Sequence, residues 1–212
     1  MKDIYIIGAG TYGEAMYELA VDCGYNVVGF FDEDETKIGN TVMDRPIIGK
    51  LSEYEEIKEK NFIVAIGNNK IRHDIMTMIL EKGGNTPTLI HPTAKISKTA
   101  VIGRGVYIQT GAVIWTKVVI GDFTIISPNT VVAHHSTIGH SCLISTLCTV
   151  GASLTIGEYT MFGIGSIAIT GIKSIGKNVM LGAGTVVIKD VEDNVLMVGN
   201  PARKIKDREP VM

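Results

Sequence analysis

No stretch of this sequence is apolar for long enough to cross a membrane, and no secretory leader stands at its start: Met1-Lys2-Asp3 runs directly into a short strand-like segment. Cysteine is scarce. Cys23, Cys142 and Cys148 are odd in number and lack metal-ligand spacing, so a reduced, cytoplasmic setting is the simplest reading. An excess of one charge is also missing; a formal net charge of −2 offers no basic patch for nucleic acid. Aromatics make up only 6% of the chain, while glycine reaches 24 residues. That bias points to many tight turns around a core of small aliphatic side chains. The 212 residues allow one large domain or two small ones.

Two grammars divide the chain at His91-Pro92, giving expected domains 1–91 and 92–212. In the first, short apolar runs alternate with helical patterns, the signature of a parallel sheet. Strands are expected at Ile4–Ile7, Asn26–Phe31, Ile47–Ile48, Phe62–Ile66 and Thr86–Ile90. Helices are expected at Tyr12–Cys23, with Ala15, Leu19 and Ala20 on one face, at Ser52–Lys60 with Ser52 as N-cap, and at Asn69–Glu81, ending at Gly83-Gly84.

The second half is a repeat. Apolar residues recur every sixth position at Ile96, Ile102, Ile108, Ile114, Ile120, Ile126, Val132, Ile138, Ile144, Val150, Ile156 and Phe162. Ala168 keeps the phase, which slips by one near Lys173-Ser174 and resumes at Ile175, Leu181 and Val187. Small residues such as Ala112, Thr124, Ser136, Cys142 and Cys148 often sit four places after an anchor, and glycine often follows it directly. A period of six fits neither a helix nor a hairpin sheet. It fits one short strand plus one turn, three of which close a triangular coil of eighteen residues. Stacked coils bury the anchors inside a solenoid.

With the repeat stand Ile7-Gly8-Ala9-Gly10 with Gly13, Gly29-Phe30-Phe31-Asp32, Ala65-Ile66-Gly67-Asn68-Asn69 with Arg72, His91-Pro92, and Val198-Gly199-Asn200-Pro201-Ala202. In this order, over nearly the full length, the chain resembles the sialic acid O-acetyltransferase-like (NeuD/PglD-type) family of hexapeptide-repeat sugar acetyltransferases. The resemblance implies a Rossmann-like α/β domain followed by a left-handed parallel β-helix. It implies acetyl-CoA as co-substrate, no metal, and a nucleotide-linked 4-amino-4,6-dideoxy sugar as acceptor in bacterial glycan synthesis. It also implies a homotrimer with active sites between subunits.

Gly8-Ala9-Gly10-Thr11-Tyr12-Gly13 is a GxGxxG between a strand and a helix, where backbone N–H groups can meet a phosphate. Asp32 follows at the end of the second strand, in place to accept from a ribose or a base. The competing reading is a glycine turn that serves only packing. About 90 residues are too few for a full dinucleotide fold, which argues against an oxidoreductase and for a single nucleotide. By resemblance, Gly10, Asp32, Gly67 and Asn68 line the sugar-nucleotide site, and Tyr12 stands where the family often has histidine.

His134, His135 and His140 cluster within one stretch of repeat. His134 and His140 each lie two places after an anchor, on different faces of the triangle. An imidazole suits general-base removal of a proton from an attacking amine near neutral pH. Adding one coil to position 134 gives Ala152, whose backbone lies about 4.8 Å away and offers an N–H to the developing oxyanion. The resemblance selects the same pair. It also marks a departure: the family's acidic residue after the base is here His135, and His140 falls where an acid is often found. A zinc-binding hydratase on the same fold would need a histidine five places before His134, where Asn129 stands. Further along, the resemblance assigns acetyl-CoA to Ala152, Ile164, Gly182 and Ala183, with Arg203 or Lys204 as phosphate contacts. Two alternatives stay open: O-acetylation of sialic acid or a related sugar, and a β-helix binding protein that has lost catalysis.

Overall fold

Alternation of aliphatic strands with amphipathic helices builds the first unit of the structure, a computed structural model that describes residues 1–211. This unit, Met1–Leu89, carries β1 (Lys2–Ile7), α1 (Thr11–Asp22), β2 (Tyr25–Phe31), β3 (Thr41–Val42), β4 (Arg45–Gly49), β5 (Phe62–Val64) and α2 (Asn69–Glu81). The sheet order is β3-β4-β2-β1-β5, parallel except for β3 on β4. Ile4, Ile6, Phe30, Phe62 and Ile63 are fully buried, as runs covered on both faces should be.

Three expectations need correction here. The face of α1 that meets the core consists of Gly13, Met16, Leu19 and Ala20, whereas Ala15 is exposed. The helix expected over 52–60 is a single turn, Leu51–Glu53. Ser52 caps nothing: its N–H and hydroxyl both donate to the Glu33 carboxylate, 19 residues earlier. Tyr54 then leaves in extended geometry to pack on Phe31, and Ile57 is buried. Tertiary contacts outweigh the weak helical propensity of so short a segment. Of the strand expected over 86–90, only Leu89–Ile90 forms.

The second unit, Ile90–Met212, is the left-handed parallel β-helix. Its strands, two residues long as far as Val187, fall into three faces. Face I runs from Lys95–Ile96 to Val186–Val187, face II from Val101–Ile102 to Ser174–Ile175, and face III from Leu89–Ile90 to Arg203–Asp207. Every anchor is the second residue of its strand, and those from Ile108 to Val187 are buried. Burying each large aliphatic anchor contributes roughly 1.5–3 kcal/mol. The coil length of eighteen appears directly in the register, as in Val113↔Val131 and Ile120↔Ile138. It becomes nineteen after Thr170, as in Thr155↔Ser174, the slip seen in the sequence.

Glycine has a different task here from turn-making. A Cβ on Gly139 would lie 2.6 Å from the Glu158 nitrogen, and one on Gly157 would lie 2.4 Å from that of Lys177. These glycines let successive coils approach. The left-handed residue of the turns, three places after the anchor, is mostly not glycine: Lys117, Phe123, Asn129, His135, Ser141, Leu147, Ser153 and Tyr159 all have φ between 56° and 61°. A strand at Val195–Val198 and an antiparallel return at Arg203–Asp207 close the solenoid, so Gly199-Asn200-Pro201 is the turn of a hairpin.

Candidate functional site

In the first unit, β1 ends at Gly8, whose φ of 102° turns the chain toward α1. The Ala9 N–H donates to Asp32 Oδ2 at 2.8 Å, tying the glycine loop to the end of β2. Asp32 also accepts from Lys37 Nζ at 2.9 Å and from the Asp34 N–H at 3.0 Å. Burial alone would push its carboxyl up, but the Asp34 N–H, Lys37 and the Ala9 N–H outweigh that and hold it below the usual carboxylate range. A depressed folded-state value stabilises the protein above the unfolded carboxyl range and loses that stabilisation as pH falls through the folded value. Asp32→Asn is therefore expected to cost this unit about 2 kcal/mol at neutral pH. The gap from the wild type should narrow steadily below about pH 4, as urea unfolding followed across acid pH will test; a gap that stays constant would contradict the assignment.

A cavity of about 450 Å³ opens at this end of the sheet, lined by Ile7, Gly8, Phe31, Asp32, Glu33, Leu51, Ser52, Ile66, Ile75 and Met78. Of the expected nucleotide residues, only Asp32 lines it. Gly10 and Gly67 lie outside it and are exposed, and a Cβ on either would meet nothing within 4 Å. Tyr12 is half-buried in the first turn of α1. Asn68 is the N-cap of α2: its Oδ1 accepts from the N–H groups of Lys70 and Ile71. Arg72 is fully buried and shapes the same loop, donating to Ile66 O at 3.0 Å and Asn69 Oδ1 at 2.8 Å. Glu33 and Ser52 are not among the residues expected to line a nucleotide site; the sequence offered Ser52 only as a helix cap.

In the second unit, register places His134, Ala152 and Thr170 in one column at the corner between faces I and II. His134 and His135 are exposed. Their Nδ1 atoms stand 3.0 Å apart, and the rings meet edge to face at 87°. The indole of Trp115, half exposed, lies 6.4 Å from the His134 ring. Trp115 escaped the sequence reading, although it sits one coil before Ala133. The Ala152 N–H, expected to be available for an oxyanion, donates to Thr170 Oγ1 at 3.1 Å. Thr170 itself is exposed, so its hydroxyl can yield this position to an incoming acceptor.

His140 lies at another corner, between faces II and III, with Nδ1 at 3.2 Å from Ser141 Oγ and its ring on Tyr159. Ile164 and Ala183 stack at the third corner, both exposed, where the Gly184 N–H donates to Ile164 O; Gly182 is partly exposed beside them. Within one chain, Ile164, Gly182 and Ala183 thus lie across face I from His134 and from Ala152, which is itself expected to meet acetyl-CoA. Arg203 and Lys204 border a cavity of about 400 Å³ together with Val187, Lys189 and Met197. Lys204 is bound by Glu192 and Asp207, whereas among the described residues the Arg203 guanidinium donates only to the neighbouring Ala202 carbonyl. No group of three or more potential ligands is placed to hold a metal among the described residues. No helix among them is long and apolar enough to cross a membrane.

The chain matches the PglD N-terminal domain family over residues 3–79 and the GMPPB C-terminal domain family over residues 85–172. It is 29% identical to a histidine-to-asparagine mutant of perosamine N-acetyltransferase from Caulobacter crescentus, solved with CoA and GDP-perosamine; the match covers 98% of both chains with a TM-score of 0.89. The acetyltransferase domain of PglB from Neisseria gonorrhoeae is likewise 29% identical, over 97% of this chain and all of that one, with a TM-score of 0.88. A galactoside O-acetyltransferase from Lactococcus lactis is 44% identical over 55 residues, which span 24% of this chain and only 26% of that protein. Joined to the α/β unit and the hexapeptide solenoid, these likenesses show a PglD N-terminal domain at residues 3–79 and make the chain similar, over nearly its full length, to left-handed β-helix sugar acetyltransferases of the NeuD/PglD type.

Proposed function

We propose that the protein transfers an acetyl group from acetyl-CoA to the amine of a nucleotide-linked 4-amino-4,6-dideoxy sugar, with His134 as general base. The observation that carries this reading is the column at the first corner: an exposed imidazole stacked under the backbone N–H of Ala152. Among the described residues the His134 Nε2 makes no hydrogen bond, so it is open to a substrate proton. The amine nitrogen bonds to the thioester carbon as His134 Nε2 takes its proton. Collapse breaks the carbon–sulfur bond, and the same proton passes to the departing thiolate, giving amide and CoA thiol. The Ala152 N–H meets the carbonyl oxygen once Thr170 Oγ1 gives way. Trp115 offers an apolar wall beside the base.

The glycine loop and the cavity at Asp32 support nucleotide binding by the first unit. Ile164, Gly182 and Ala183 supply an apolar strip for the pantetheine arm, and Arg203 a charge for phosphate. The resemblance implies a homotrimer, and outward-facing apolar residues on faces I and II, among them Val101, Val119 and Ile167, are compatible with contacts between chains; sedimentation at the mass of one chain would refute it.

Release of free thiol from acetyl-CoA with UDP-, dTDP- and GDP-linked amino sugars tests the activity. Turnover with one of them establishes it. Turnover only with free sialic acid would move the activity to O-acetylation. Silence with both would leave a binding protein.

A further inference from the structure

We propose that His135 is a positioning residue: its neutral imidazole accepts the Nδ1 proton of His134 and so aims the Nε2 of His134 at the substrate. The inference rests on His134 being the base. An Nδ1···Nδ1 contact of 3.0 Å is a hydrogen bond only when one ring carries the proton there and the other lacks it. A base acting through Nε2 must have its own proton on Nδ1. His134 is therefore the donor, and His135 the acceptor with its proton on Nε2. When His134 takes the substrate proton it becomes an imidazolium whose Nδ1–H still points at the lone pair of His135, so the bond strengthens as the reaction needs it. Adding a second proton to the pair removes the acceptor and breaks the bond.

The backbone explains how adjacent residues manage this. His135 occupies the left-handed position of the turn, φ 61°, while its N–H donates to Thr116 O and the His134 carbonyl accepts from the Ser153 N–H. Both peptides are fixed to neighbouring coils, and the reversal between them brings the rings together edge to face at 87°. Stacked with the pair on this corner are Thr116 and Lys117 from the coil before, and Ala152 and Ser153 from the coil after. Lys117 is the one charged group among them.

Three substitutions separate positioning from a merely structural role. His135→Gly relieves the left-handed backbone and removes the acceptor. It should lower kcat about tenfold, the worth of one hydrogen bond, with KM unchanged and thermal stability equal or higher. His135→Asn keeps an uncharged acceptor and should restore kcat to within about twofold. His135→Asp replaces it with a carboxylate, which favours the protonated His134 and should move the acid limb of the kcat/KM profile to higher pH. Nitrogen-15 spectra of histidine-labelled protein give a reading without turnover: above its titration the pair should show one Nδ1–H and one Nε2–H tautomer, and His134 should lose its fixed Nδ1–H form in His135→Gly. Two Nε2–H tautomers in the wild type, or a fully active His135→Gly, would overturn the pairing. Activity surviving in His134→Ala would instead overturn the base itself, a separate result.

Discussion

Replacing His134 by alanine should lower kcat for acetyl transfer by about 10²–10³-fold while leaving the KM values for acetyl-CoA and acceptor within about threefold. The size follows from the chemistry. A sugar amine is largely an ammonium near neutral pH, and its nitrogen must shed a proton to complete attack on the thioester. Of the two imidazoles at this corner, His134 is the one that shares its column with the Ala152 N–H. The column around it supplies the Ala152 N–H, the Thr170 hydroxyl and the Trp115 indole, none of which takes up a proton near pH 7. The effect should fall on kcat because the imidazole acts on a proton that moves only in the transition state. The acid limb of the rate profile should vanish with the side chain. Steady-state kinetics from pH 5.5 to about 9 decide the matter. A variant with wild-type kcat and an intact acid limb would place the base elsewhere, with His140 and its Ser141 and Tyr159 contacts the next residue to replace.

The solenoid was legible because its constraint falls on every sixth residue and repeats: an anchor must be apolar wherever coils stack, so even the single-residue slip near Lys173 left its mark. The same arithmetic placed Ala152 above His134. One more step of eighteen reaches Thr170, whose hydroxyl takes the Ala152 N–H, but periodicity locates backbones and says nothing of which side chain turns inward to a neighbour. The α/β unit was less legible in its details. Asp32 lines the cavity and Asn68 does not, and the oxygens of both already serve the fold, Asp32 through a bond to Ala9 spanning 23 residues and Asn68 as a helix cap. The failed helix at 52–60 has the same origin, since Glu33 claims Ser52 from a distant loop. The His134–His135 contact needed the left-handed backbone at residue 135, which a sequence carrying histidine at that position does not announce.

The glycines of the loop at 8–13 divide into those the fold requires and those it leaves open, and this sets the second large effect. Gly13→Ala should destabilise the first unit by about 3 kcal/mol. Its Cβ would stand 2.1 Å from the Gly8 carbonyl oxygen and 3.5 Å from the Phe30 ring. That oxygen cannot withdraw, because the Gly8 N–H is held by Phe31 O and the peptide turns at φ 102°. Helix α1 must therefore lift away, loosening Met16, Leu19 and Ala20 from the sheet. Gly10→Ala meets no atom within 4 Å, has an ordinary φ of −101°, and should change stability by no more than about 1 kcal/mol, the cost of a poorer helix cap. Its added methyl group projects instead into the space beside the α1 N-terminus, where a phosphate would approach. The acceptor KM should rise about tenfold with the KM for acetyl-CoA unchanged. Both α-helices belong to the first unit, so helical circular dichroism during urea unfolding isolates its stability. Loss of stability in Gly13→Ala with loss of acceptor affinity alone in Gly10→Ala would assign packing to one glycine and the nucleotide to the other. An unchanged acceptor KM in Gly10→Ala would take the phosphate away from this loop and leave the GxGxxG pattern as a packing device.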